Sequence, residues 1–301
     1  MKIVVVGGGT GSFNILSGLK KYPVELVSIV TMMDSGGSSG ILRDEFGVLP
    51  TGDVRRALVA LSEDEILREL FSYRFDKGKG LSGHSFGNLL LTVLKELKGG
   101  DAKAIEEASK ILRIKGKVLP ITTWDCQLCA ELKNGKKIKG EAKIGKEEVQ
   151  NVYLDKKAVI YDVCVKEMKD ADLIVLGPGD FYTSILPNIL VEGFFEAVKN
   201  SDAKTVFVCN IMTKGETKNF TAKTYVKELE KYLDTKIDFV LMNNVKPKEE
   251  IIKKYEKEDS VFVEPDYKGI KLNLLKEGDF ARHDPKKLSK AVLAILLGIN
   301  K

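Results

Sequence analysis

Lys2-Ile3-Val4-Val5-Val6-Gly7-Gly8-Gly9-Thr10-Gly11-Ser12-Phe13 decides the fold. Its first residues form a short, β-branched, apolar run with no polar alternation, as a strand buried on both faces requires. The run breaks on glycines. Phe13, Leu16 and Leu19 then recur at helical spacing. Val24–Thr31 is a second apolar run. Strand, glycine turn, helix, strand is the opening of a doubly wound, Rossmann-like three-layer α/β fold with a parallel sheet.

The same texture returns in the second half. Leu173–Leu176, Val206–Cys209, Phe239–Leu241 and Ser260–Val263 read as strands. Pro187–Lys199, Ala222–Leu233 and Lys248–Tyr255 read as helices between them. The glutamates and lysines of Lys246–Lys257 mark a solvated helix face. The middle differs. Asp53–Phe71, Gly87–Leu97 and Ala102–Leu112 read as helical. Val118–Leu154 alternates and carries Asn134-Gly135, a two-residue hairpin turn. One α/β domain over residues 1–301 is expected, with a helical and antiparallel β insert around residues 84–155. Trp124 is expected to pack inside that insert.

Composition narrows the class. The chain has 301 residues, 44% hydrophobic and 30% charged, which excludes long disorder and fibrous repeats. The net charge of +5 comes from 48 basic and 43 acidic side chains. Its lysines are spread among glutamates, so no nucleic-acid stripe is expected. No apolar run reaches the roughly 20 residues of a membrane helix. The N-terminus lacks a signal-peptide layout, and a cytoplasmic location is expected. Four irregularly spaced cysteines make no disulfide framework. Cys126 and Cys129 lie in an alternating stretch without a second ligand pair, so no zinc site is expected.

Four small-residue loops follow strands: Gly7–Gly11; Asp34-Ser35-Gly36-Gly37-Ser38-Ser39-Gly40; Gly177-Pro178-Gly179-Asp180-Phe181-Tyr182-Thr183-Ser184; and Asn210–Thr217. In a parallel sheet all four emerge at the carboxyl edge, where open α/β sheets bind ligands. Free N–H groups at helix starts there favour anions. The first loop lacks the Lys-Ser or Lys-Thr of a Walker A loop. Gly7-x-Gly9 fits a dinucleotide turn, although Ser12 stands at the third glycine position. Asp34 stands where a ribose-binding carboxylate could be. Asp53 and Arg55 read either as first-turn charges of a helix or as residues facing a phosphate. His84 and His283 lack metal-pair spacing, and a lone histidine is more often structural.

These motifs resemble the YvcK-type gluconeogenesis factors of the CofD-like superfamily. The resemblance rests on Gly7–Gly11, Asp34–Arg43, Pro50–Arg55, Leu70–Phe75, Gly83–Leu89, Gly177–Gly179, Tyr182–Ser184, Pro187-Asn188, Asn210–Thr213, Gly215–Thr217 and Arg282–Asp284, in family order. It implies a Rossmann-like fold and a cytoplasmic protein tied to growth on gluconeogenic carbon sources and to cell shape, binding UDP-sugars. CofD relatives are 2-phospho-L-lactate transferases that use magnesium. The chain departs from the pattern at Ser35, where a second aspartate is usual, at Asp180, where serine is usual, and at Thr51, where proline is usual.

The expected ligand is a nucleotide or nucleotide-sugar, and a homo-oligomer is compatible with the sequence. The expected site comprises Gly8, Gly9, Thr10, Gly11, Asp34, Ser35, Gly36, Gly37, Ser38, Asp53, Arg55, His84, Asn88, Gly177, Pro178, Gly179, Tyr182, Thr183, Ser184, Asn210, Thr213 and Arg282. The alternative is a CofD-like transferase, in which Asp34 and Asp53 hold magnesium and His84 positions the attacking hydroxyl. An NAD-dependent oxidoreductase ranks third, for want of a catalytic dyad.

Overall fold

Residues 3 to 6 are all buried, but alternate residues serve opposite sides. Ile3 and Val5 belong to one apolar cluster, Val4 and Val6 to the other. A strand with two apolar faces must lie inside a sheet covered on both sides. The computed structural model describes residues 1–299 and has that arrangement. The strands are β1 Lys2–Gly7, β2 Glu25–Val30, β3 Lys117–Pro120, β4 Leu128–Leu132, β5 Lys137–Lys139, β6 Val149–Leu154, β7 Leu173–Leu176, β8 Lys204–Val208, β9 Phe239–Asn243 and β10 Ile270–Leu272. The helices are α1 Gly9–Leu19, α2 Gly37–Phe46, α3 Gly52–Leu61, α4 Glu65–Ser72, α5 Phe86–Lys98, α6 Asp101–Ile111, α7 Glu141–Ile144, α8 Asp162–Lys169, α9 Leu186–Ile189, α10 Phe194–Lys199, α11 Ala222–Leu233, α12 Glu249–Glu256 and α13 Pro285–Leu296.

Seven parallel strands form the main sheet in the order β10-β9-β8-β7-β1-β2-β3. Helices α1, α3, α5, α6 and α13 supply the apolar cluster on one face. On the other face lie α8 to α11 and a separate antiparallel sheet, β5-β4-β6. The three-layer α/β reading and the antiparallel β element therefore stand. The chain runs outward from β1 through β2 to β3, then returns to β7 on the other side of β1. Val6 is in register with Ile29 of β2 and Leu176 of β7. The order reverses between β1 and β7, so their carboxyl ends part to leave a crevice.

Several element boundaries differ from the sequence reading. Residues 117–120 join the main sheet as its edge strand, and only β4 to β6 make the antiparallel sheet. Asn134-Gly135 does turn β4 into β5, with Gly135 at φ +80. Ser260–Val263 is not a sheet strand. Val263 instead donates its N–H to the Ile211 carbonyl at 3.0 Å, bracing the loop after β8. The seventh position belongs to Ile270–Leu272, whose half-exposed edge carries too little apolar signal to stand out. Pro187–Lys199 breaks into α9 and α10 because Gly193 takes φ +92. Asp53–Phe71 divides into α3 and α4, where Asp64 caps α4 by accepting the Leu67 N–H at 3.0 Å. Trp124 is not an insert core residue but is 53% exposed.

At the crevice two strand-end loops touch backbone to backbone. A Cβ added to Gly11 would lie 2.1 Å from the Pro178 carbonyl oxygen, so no side chain fits there. By contrast, a Cβ at Gly36 would come no nearer than 3.4 Å to Asp34 Oδ1. Gly11→Ala must push α1 away from the loop after β7, and overpacking of this kind costs about 1–3 kcal/mol. Urea unfolding is expected to show that loss for Gly11→Ala and less than about 1 kcal/mol for Gly36→Ala.

Candidate functional site

The crevice between β1 and β7 opens into a cleft of two joined lobes. The first, about 350 Å³, draws its walls from six places in the chain. Gly8–Gly11 follow β1, Asp34 follows β2, and Asp53 with Arg56 come from α3. Glu141 reaches in from α7, Gly179, Asp180, Thr183 and Ser184 follow β7, and Lys214 follows β8. The second lobe, about 220 Å³, adds Asn14, Pro178, Asn210, Thr213, Arg282 and His283. Thr10, Gly11, Gly179, Asp180 and Lys214 line both lobes and form the waist. A larger groove of about 810 Å³ lies between the antiparallel sheet and α12, but only Lys214 and Gly215 reach it from the strand-end loops. Several of its charges pair with one another, as Lys133 does with Glu148 at 2.8 Å. The cleft at the switch point is therefore the better site.

Local geometry explains the placements. Gly9 takes φ +67, which favours glycine, and starts α1 facing the first lobe. The N-cap residue of α1 is Gly8, which has no side chain to offer, so the cap comes from α3. Asp53 Oδ1 accepts the Gly9 N–H at 3.0 Å and pairs with Arg56 at 3.2 Å. The next two first-turn amides, of Thr10 and Gly11, have no intrahelical acceptor, and both residues line the waist. Gly8 must be glycine because a Cβ would fall 2.1 Å from Asp53 Oδ2. Asp34 Oδ1 accepts the Gly36 N–H at 2.8 Å, which turns the chain into α2. Ser35 Oγ accepts the Ala142 N–H at 3.1 Å and so ties α7, with Glu141, to the loop after β2.

Other predicted residues lie one layer behind the cleft. His84 Nδ1 and Ser38 Oγ are 3.0 Å apart and buried. Arg55 Nε donates to Asn88 Oδ1 at 3.0 Å, and Asn88 Nδ2 donates to Ser39 Oγ at 3.4 Å. This network supports α2 from beneath and does not line either lobe. Gly36, Gly37 and Ser38 start α2, and Gly177 backs the loop after β7. The Tyr182 ring packs against Phe181 and Phe220, while its N–H donates to Glu216 Oε1 at 3.1 Å. Arg56, Glu141, Lys214, Asn14 and His283 line the cleft although the sequence reading did not choose them. Arg56 was readable, because Asp53 and Arg56 are three apart on a helix and share a face, whereas Arg55 points elsewhere.

The family profile described as 2-phospho-L-lactate transferase CofD matches residues 3–277. The chain belongs to the CofD family. A Thermotoga maritima protein is 43% identical over 282 residues, covering 92% of this chain and 90% of its own length. The Bacillus subtilis gluconeogenesis factor is 39% identical over 310 residues, covering 98% of each chain. A crystal structure of a Bacillus halodurans protein superposes with a TM-score of 0.93 at 40% identity, over 97% of this chain and 98% of that one.

Membership raises the question of magnesium, which the resemblance to CofD transferases implies. The first lobe gathers Asp34, Asp53, Glu141 and Asp180 against Arg56 and Lys214. Yet among the described residues no three acidic, histidine or cysteine side chains converge as a metal-binding group. Asp53 is engaged by Gly9 and Arg56, and Asp34 by Gly36. These side chains as placed do not fit a protein-built magnesium site.

Protonation reduces the negative charge of this CofD-family cleft. Burial, then Asp34, Asp53 and Asp180, push Glu141 up to about 7. Burial, with smaller contributions from Asp34 and Asp180, raises Asp53 to about 6 against the pull of Arg56. Both carboxylates therefore gain protons as pH falls from 8 to 6, and repulsion of an anion in the lobe weakens. Affinity for an anionic diphosphate ligand is expected to rise by about 3- to 10-fold over that range. Calorimetric titration at pH 8, 7 and 6 measures it, and Glu141→Gln is expected to flatten the profile.

Proposed function

We propose that the protein is a cytoplasmic, regulatory binder of a nucleotide-sugar, of the UDP-sugar class, acting as a gluconeogenesis and cell-shape factor. The observation that carries this reading is the start of α1, where Asp53 takes only the Gly9 amide. Thr10 and Gly11, whose first-turn amides have no intrahelical acceptor, line the waist of a two-lobed cleft at the sheet's switch point. Amides at a helix start attract a phosphate through their hydrogen bonds and the helix dipole. Two lobes joined at that waist suit a ligand with a diphosphate in the middle and a polar group at each end. Asp34 accepts a ribose or sugar hydroxyl in the first lobe. Asn210, Thr213 and Arg282 meet the other end, with the Arg282 guanidinium held 4.9 Å from the centre of the Phe280 ring. The name of the Bacillus subtilis relative supports the gluconeogenic role. Among the described residues no helix is long and apolar enough to cross a membrane.

Asp34 as a hydroxyl acceptor works without metal. Titration with UDP-glucose is expected to give nearly equal affinity in magnesium and in chelator. Asp34→Asn is expected to weaken binding in both, by about 1–3 kcal/mol, as when a buried hydrogen bond loses its acceptor. Loss of wild-type binding on chelation, or magnesium-dependent phospholactyl transfer, would favour the transferase instead.

A further inference from the structure

An ion pair spans the waist of the cleft. Lys214 Nζ lies 2.7 Å from Asp180 Oδ2, joining the loop after β8 to the loop after β7. The lysine's backbone is fixed, since Thr217 Oγ1 accepts the Lys214 N–H at 3.1 Å and itself accepts the Tyr225 hydroxyl at 2.8 Å. Its side chain is 54% exposed and can swing. Asp180 is 35% exposed and caps no helix with its carboxylate. The pair is thus held only by itself, beside the open amides of Thr10 and Gly11.

The other cations of the cleft are placed less well for the waist. Arg56 lies in the first lobe, paired with Asp53, and Arg282 in the second, against Phe280. Asp180, Glu216 and Glu141 all act on Lys214 with negative charge. A half-exposed pair of this kind is weak. A diphosphate offers the ammonium more negative charge and also takes the helix amides.

We propose that Lys214 is the phosphate-capturing cation of the cleft and that Asp180 is its built-in competitor, which the diphosphate must displace. The proposal rests on the nucleotide-sugar reading above and sets the affinity and anion selectivity of that site. Asp180 then weakens diphosphate binding while leaving an uncharged nucleoside unaffected.

Calorimetric titrations of wild type, Asp180→Asn, Lys214→Gln and the double variant test this with UDP-glucose, inorganic pyrophosphate and uridine. Asp180→Asn is expected to tighten UDP-glucose and pyrophosphate by about 3- to 10-fold without changing uridine. Lys214→Gln is expected to weaken both phosphate ligands, and the double variant is expected to match Lys214→Gln. Weaker or unchanged binding by Asp180→Asn overturns the proposal. So does an equal gain in the Lys214→Gln background, which would make Asp180 a general repulsive charge. If wild type ignores UDP-glucose but binds pyrophosphate, the nucleotide-sugar reading fails while the pyrophosphate series still decides the pair. If neither binds, both fall.

Discussion

Backbone contact between Gly11 and Pro178 is the constraint on which the cleft depends. The two loops leave neighbouring parallel strands, β1 and β7, from opposite directions of chain winding. Their contact is possible only because position 11 has no Cβ. It places the start of α1 against the loop after β7 and so defines a waist narrow enough to be lined from both sides. Much of the glycine content of this edge serves that packing. Gly8 makes room for Asp53 and Gly11 for Pro178, whereas a Cβ at Gly9 would make only ordinary contacts, 3.8 Å from Ser184 Oγ. Glycines in such loops therefore do two jobs, and only some of them bring a ligand to the backbone.

The cleft is electrostatically mixed. Four carboxylates and two cations share the first lobe, an unusual wall for an anion. Three features moderate the excess: Asp53 is paired, Asp180 is paired, and burial holds protons on Glu141 near neutral pH. Glu216 behind the wall is likewise pushed up to about 8 by burial, and it anchors the Tyr182 amide. Under the nucleotide-sugar proposal, such carboxylates receive sugar hydroxyls while the helix amides and Lys214 receive phosphate. One cleft can then discriminate a diphosphate bearing a polyol from a bare anion.

The fold was legible where local chemistry and tertiary structure agree. Ile3–Val6 is apolar at every position because both faces of β1 are covered, and that pattern is visible in a single sequence. Ser260–Val263 misleads because bracing a loop and entering a sheet both call for apolar, β-branched residues. Ile270–Leu272 escapes notice because an exposed edge strand needs little burial. At the cleft, the strand-end loops supply much of the lining, whereas His84, Arg55 and Asn88 lie behind its wall. Their polarity serves a buried network beneath α2. Glu141 was not readable at all. It reaches the cleft because α7 docks on Ser35, a contact spanning 107 positions that no local spacing reveals.

Under the proposed function, the waist built by these two loops holds a diphosphate. A crystal structure of the full chain grown with UDP-glucose tests it most directly. The diphosphate is expected within hydrogen-bond reach of the Thr10 and Gly11 amides and of Lys214, with one end of the ligand in each lobe. A diphosphate bound instead in the larger groove beside Lys133, or away from the α1 start, would contradict this placement.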